Sequence, residues 1–96
     1  MAAYSWDPHK NAKLIRERGL SFEAILASIQ SGGLLETVEH PNPQKYPGQK
    51  FYVVRLFEYV YLVPFMEKDD DIRLITIIPS RKAYKKHLKR GETHEG

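Results

Sequence analysis

Between Asp71 and Glu92 the chain carries no acidic residue, yet it carries Arg73, Arg81, Lys82, Lys85, Lys86, Lys89 and Arg90. A run of one sign that follows an apolar segment points to a surface that meets a polyanion. Ser80 is a good N-cap, so Arg81 and Lys82 fall in the first turn of a helix. Cations there oppose the helix dipole, and an anionic ligand would relieve the conflict. Open backbone N–H groups beside two cations predict a phosphate-binding corner, with Arg81 as its first residue. Arg55 places another charge in the middle of an apolar strand. It needs either a carboxylate such as Glu36 or Glu39 or a wet, anion-binding groove. Arg73 is similar but lies nearer a strand start, where a solvated edge charge is the plainer reading.

The histidines stand at positions 9, 40, 87 and 94, a spacing that fits no zinc motif, and there is no cysteine to join them. His40, at a strand end beside a proline-rich loop, is the candidate general acid or base. His87 reads as a packed or surface helix residue, His9 as solvated, and His94 as part of a tail. Asp69 to Asp71 reads as an acidic turn rather than a metal site. No glycine-rich phosphate loop, nucleophile elbow or Ser/His/Asp arrangement stands out, so neither metal nor cofactor is expected.

The elements that must position these residues fit one small domain over residues 1–90 of the 96-residue chain. A hydrophobic content of 42% supports a packed core, while the net charge of +3 matters less than its uneven distribution. Without cysteine, disulfide scaffolds and thiolate chemistry are excluded. No apolar run approaches a membrane helix and the first residues hold no signal-peptide core, so a cytoplasmic protein without a membrane partner is expected.

Asp7-Pro8 opens a first helix, continued by Lys10 to Arg18 with Ala12, Leu14 and Ile15 as its apolar residues and stopped by Gly19. Trp6 should pack beneath it, and Tyr4 to Trp6 suits a short strand. Ser21 caps a second helix from Phe22 to Gln30, where Phe22, Ile25, Leu26 and Ile29 follow the amphipathic template. Gly32-Gly33 ends it, and Leu34 to Glu39 forms a strand. His40 to Gln49, with three prolines, is a loop that is either a rigid connector or functional. Phe51 to Phe57 and Tyr59 to Phe65 form a hairpin split at Phe57-Glu58, with Pro64 marking an edge or a strand end. Ile72 to Ile78 is the fourth strand, Pro79 ends its ladder, and a helix follows. Gly91 to Gly96 reads as a disordered tail. The expected fold is α+β: two N-terminal helices, a four-stranded antiparallel sheet and a C-terminal helix.

Trp6-Asp7-Pro8 with Lys10, then Gly19-Leu20-Ser21-Phe22-Glu23, and finally Ser80-Arg81-Lys82-Ala83 after a strand resemble the BrnT family. Its members are toxins of type II toxin–antitoxin pairs with a RelE-like fold. The resemblance spans nearly the whole domain. It implies a small endoribonuclease that inhibits translation and is restrained by a DNA-binding antitoxin. By position, Arg81 matches the family's arginine opening the last helix, and Lys50 the basic residue opening the strand after the long loop. The chain departs from the pattern at Gln49, often acidic in relatives, and at Ile75, Thr76 and Ile77, where relatives place a base.

On this reading Arg81, Lys50 and Arg55 grip the scissile phosphate, and Tyr84 or His40 assists proton transfer. Lys82, Lys85, Lys86, Arg73 and Lys45 attract the RNA, while Tyr46 and Tyr52 stack on unpaired bases. The alternative is a binding module that holds RNA or an antitoxin without cleaving.

Overall fold

The alternation of side chains along the central strands decides the architecture. The computed structural model describes residues 3–89, and the proposed tail and Arg90 lie outside them. The order is β1 (Ala3–Ser5), α1 (Pro8–Arg18), α2 (Phe22–Gln30), β2 (Leu34–Glu39), β3 (Gln49–Leu56), β4 (Tyr59–Lys68), β5 (Asp71–Leu74), β6 (Ile78–Pro79) and α3 (Arg81–Tyr84). A π turn, Lys85–Lys89, completes the described chain. The domain is α+β with a mostly antiparallel sheet in the order β1-β5-β4-β3-β2, and β6 also pairs with β4.

Tyr52, Val54 and Leu56 of β3 lie opposite Val63, Tyr61 and Tyr59 of β4, so these residues share one face. Of them, Tyr52, Val54, Leu56 and Val63 join Leu14, Leu20, Phe22 and Ile25 in the main core, and Tyr61 packs against it. Phe22 and Ile25 are fully buried, and each contributes roughly 1.5–3 kcal/mol by leaving water. Trp6 stacks on Phe22 at 5.7 Å, as its position before the helix cap suggested. Val53, Arg55 and the facing Val60 lie on the other side of the sheet. Val53 and Val60 are buried there, apart from the main core.

Several expectations need correcting. The short N-terminal strand covers Ala3–Ser5 and runs parallel to β5. Ile72 to Ile78 is not one strand, and Pro64 supplies the reason. Ile75 N–H donates to the Pro64 carbonyl at 2.8 Å, but Pro64 has no N–H to return. Pairing with β4 therefore lapses after Leu74 and resumes as Ile78 and Pro79 oppose Leu62 and Tyr61. Pro64 thus lies inside β4, neither at a sheet edge nor at a strand end. Pro79 is itself part of the ladder.

In α1, Leu14 is buried but Ile15 is half exposed, and the buried polar residue is Asn11. Its Oδ1 accepts from Phe22 N–H at 2.8 Å and its Nδ2 donates to Glu23 at 2.7 Å. One amide side chain therefore joins α1 to the start of α2, where Ser21 Oγ accepts from Ala24 N–H.

Two close backbone arrangements hold the end of β3 that bears Arg55. Gly33 N–H donates to Ser28 carbonyl at 2.6 Å, and Arg55 N–H donates to Gly33 carbonyl at 2.8 Å. Ser28 Oγ donates to the Arg55 carbonyl. A Cβ on Gly33 would press on Ser28 Oγ and stand 2.9 Å and 3.0 Å from the Ser28 and Arg55 carbonyl oxygens. Beyond Arg55, the hairpin turns at Phe57 and Glu58, as the sequence indicated, with φ of 54° and 61°. A tight turn of this hand asks for Asn-Gly, and a bulky aromatic residue at positive φ is strained.

Two stability measurements follow. Gly33→Ala is expected to cost about 2 kcal/mol in urea unfolding, since the helix end and β3 must part. Phe57→Asn combined with Glu58→Gly is expected to gain about 1 kcal/mol, raising Tm by about 4–8 °C. An unchanged midpoint in either variant would contradict the corresponding geometry.

Candidate functional site

The hydrogen-bond register brings the C-terminal segment to the Arg55 end of the sheet. Arg55 lies opposite Val60, and Ser80 N–H donates to the Val60 carbonyl at 3.0 Å. The segment therefore starts one strand away from Arg55. Ser80 Oγ then accepts from Ala83 N–H, the expected cap. Ala83, Tyr84, His87 and Leu88 are half-buried while Arg81, Lys82, Lys85 and Lys86 are exposed, the division that the sequence pattern suggested. Arg55, Glu58, Tyr84, His87 and Leu88 line a groove of about 290 Å³. Tyr59, Arg81, Tyr84 and Lys85 line a second of about 260 Å³. Tyr84 borders both. Arg55 also borders a wider hollow of about 600 Å³ beside Gly32 and Gly33.

Glu36 was expected, at most, to neutralise Arg55. Instead its Oε2 accepts from His87 Nε2 at 2.7 Å and from Lys86 Nζ at 3.0 Å. Glu36 lies opposite Val53, on the same sheet face as Arg55. The hydrogen bond from Lys86, then that from His87, holds the Glu36 carboxyl below its ordinary value of 4.5. An ionised carboxylate only accepts, so His87 Nε2 carries a proton and the neutral form of the ring would have its acceptor at Nδ1. This is the geometry of a histidine whose tautomer a carboxylate sets. From the sequence His87 reads as a packed or surface helix residue, because its partner lies 51 positions away with no local signal joining them.

The other expected site residues divide. Lys50 lies opposite Glu39 and Phe65, on the face away from Arg55. Five strand steps separate Lys50 from Arg55, about 17 Å. His40 is also at the Lys50 end, stacked on Tyr46 at 4.3 Å and against Phe51 at 5.1 Å. Its Nδ1 accepts from Asn42 N–H at 3.0 Å, so the ring is engaged in shaping the loop. Lys45 lies over the Tyr46 ring at 5.6 Å, and Arg73 is exposed opposite Met66 at that same end. Lys50 and His40 therefore do not join Arg81, Arg55 and Tyr84. Lys86 pairs with Glu36 at 3.0 Å while its side chain stays exposed.

Tyr52 is buried and stacks on Phe65 at 3.9 Å, which removes it from any base-stacking role. Burial, then its proximity to Tyr4, pushes its hydroxyl up to about 12. The expected phosphate corner at the helix start also changes. Only Arg81–Tyr84 are α-helical before the π turn, too short for a useful dipole, so Arg81 acts through its own charge. Among the described residues, Arg55, Arg81, Lys82 and Lys85 pair with no carboxylate. Among them no three histidine or acidic side chains gather as metal ligands, and no helix is long and apolar enough to cross a membrane.

Compared with known proteins, the chain matches no family model, no curated protein and no solved structure.

The Glu36 contacts carry a pH dependence of defined sign. A carboxyl whose folded pKa is lowered adds stability above its ordinary 4.5, and that share is lost as pH falls through the folded value. Thermal melts are expected to show a fall in stability below about pH 4.5 that Glu36→Gln flattens. Parallel acid profiles for the two proteins would contradict the role given to Glu36.

Proposed function

We propose that this protein is an endoribonuclease toxin of the BrnT type, with a RelE-like fold, acting on RNA in the cytoplasm under the restraint of a cognate DNA-binding antitoxin. The observation that carries the reading is the convergence of Arg55, Tyr84 and the Glu36-bound His87 on one groove, with Arg81 and Lys85 beside it. Cleavage of RNA through its own 2′-hydroxyl makes three demands. The hydroxyl proton must leave, the crowded phosphate must be stabilised, and the departing 5′-oxygen must gain a proton. His87 Nδ1 accepts the first proton as the 2′-oxygen attacks phosphorus. Glu36 stabilises the imidazolium that results. Arg55 and Arg81 carry the charge on the phosphorane, the largest single contribution in reactions of this kind. As the bond from phosphorus to the 5′-oxygen breaks, the Tyr84 hydroxyl supplies the leaving group with its proton. The products are a cyclic 2′,3′-phosphate and a free 5′-hydroxyl.

Lys45, Lys50 and Arg73, at the distant end of the sheet, are then attractors of the RNA backbone rather than catalytic groups. Purified protein incubated with a single-stranded RNA is the direct test. His87→Ala is expected to lower the cleavage rate by about 10²–10⁴-fold. Arg81→Ala is expected to abolish growth arrest on expression while the circular dichroism spectrum stays native. Full toxicity of either variant would remove the assignment of roles. Salt-sensitive binding with no cleavage products would leave a binding module in place of a nuclease.

A further inference from the structure

We infer that the corner formed by Tyr59, Tyr84, Arg81 and Lys85 is a subsite for one unpaired base of single-stranded RNA and its adjoining phosphate, an assignment that rests on the RNA reading above. Tyr59 and Tyr84 stack with ring centroids 4.8 Å apart and planes 21° apart. Tyr61 meets Tyr59 edge-on at 5.7 Å, which holds the ring in place. Neither Tyr59 nor Tyr84 belongs to the main hydrophobic core, and both are half-buried. The stack is thus an aromatic platform reached from solvent.

Arg81 and Lys85 complete the lining of the hollow, and both are exposed. Its volume of about 260 Å³ is room enough for a single base. Aromatic rings flanked by unpaired cations are the combination that single-stranded nucleic acid selects. Every base offers a π face, and the cations take the phosphate. An acidic peptide would satisfy Arg81 and Lys85 but leave the tyrosine rings without a planar partner. A duplex keeps its bases paired and stacked, and presents no open ring face.

Tyr84 also borders the groove of Arg55 and His87, so the two hollows adjoin. A strand with one base on the tyrosines runs its next phosphate toward His87. The subsite therefore selects the nucleotide beside the cleaved bond, and selects against paired RNA.

The test uses the full chain and a short single-stranded RNA, made uncleavable by fluorine at each 2′ position and carrying a fluorescent adenine analogue. Binding is expected to quench the analogue by stacking. Tyr59→Leu is expected to weaken binding about ten-fold and abolish the quench, while Tyr59→Phe restores both. Arg81→Gln with Lys85→Gln is expected to lower the salt dependence of binding by about two charges, which reads the subsite independently should Tyr59→Leu fail to fold. Binding by Tyr59→Leu equal to wild type, or equal affinity for a duplex of the same sequence, would overturn the subsite. Cleavage of unmodified RNA by the wild type is measured in parallel. Tyr59-dependent binding without cleavage supports the subsite and defeats the nuclease reading. Cleavage without Tyr59-dependent binding does the reverse.

Discussion

The candidate site depends on the Glu36 carboxylate, which receives both Lys86 and His87. The segment that brings these two residues is one α turn followed by a π turn, too short to be stable on its own in water. It is held by what it touches. It packs on β4, whose Val60 is buried on this sheet face together with Val53, and Glu36 gives it a polar anchor on the same face. The same contact that docks the segment also sets the His87 tautomer. Structure and chemistry here share one oxygen atom. Exposed ion pairs seldom contribute much alone, so the hydrophobic packing must supply most of the docking energy.

The sheet beneath separates two populations of charge. At one end of β3, Arg55 stands near Arg81, Lys85, Tyr84 and His87. At the other, Lys45 lies in the His40 loop, Arg73 stands opposite Met66, and Lys50 points to the opposite face. A pleated strand cannot bring its two ends together, so one phosphate cannot be held by Lys50 and Arg55 at once. This constraint divides the surface into a place for chemistry and a place for attraction. The π turn sits on the chemical side, in keeping with the tendency of such turns to occur where function demands unusual geometry. The strained hairpin tip at Phe57 and Glu58 lies at that end as well, next to Arg55.

Much of this was legible from residue types. Caps at Asp7, Ser21 and Ser80 act on local backbone groups, and all three accept the hydrogen bonds that their positions implied. The two faces of β3 follow from a period of two, which needs no knowledge of neighbours. The hairpin split at Phe57-Glu58 was placed correctly even though neither residue favours positive φ. The division of Ile72 to Ile78 into two strands was not legible, because its cause is a proline on the facing strand. Asn11 was passed over for the same reason: its value lies in reaching Phe22 and Glu23 across a helix boundary.

By itself, the sequence determined where positive charge accumulates, which residues cap helices and which faces of the strands are apolar. These depend on composition and on spacing within a few residues. Only the tertiary structure decided that Glu36 meets His87, that Tyr59 stacks on Tyr84, and that Tyr52 turns inward while Lys50 and His40 stay remote. Such pairings depend on strand order and register, which follow from packing the whole sheet against α1 and α2 and leave no trace in local spacing.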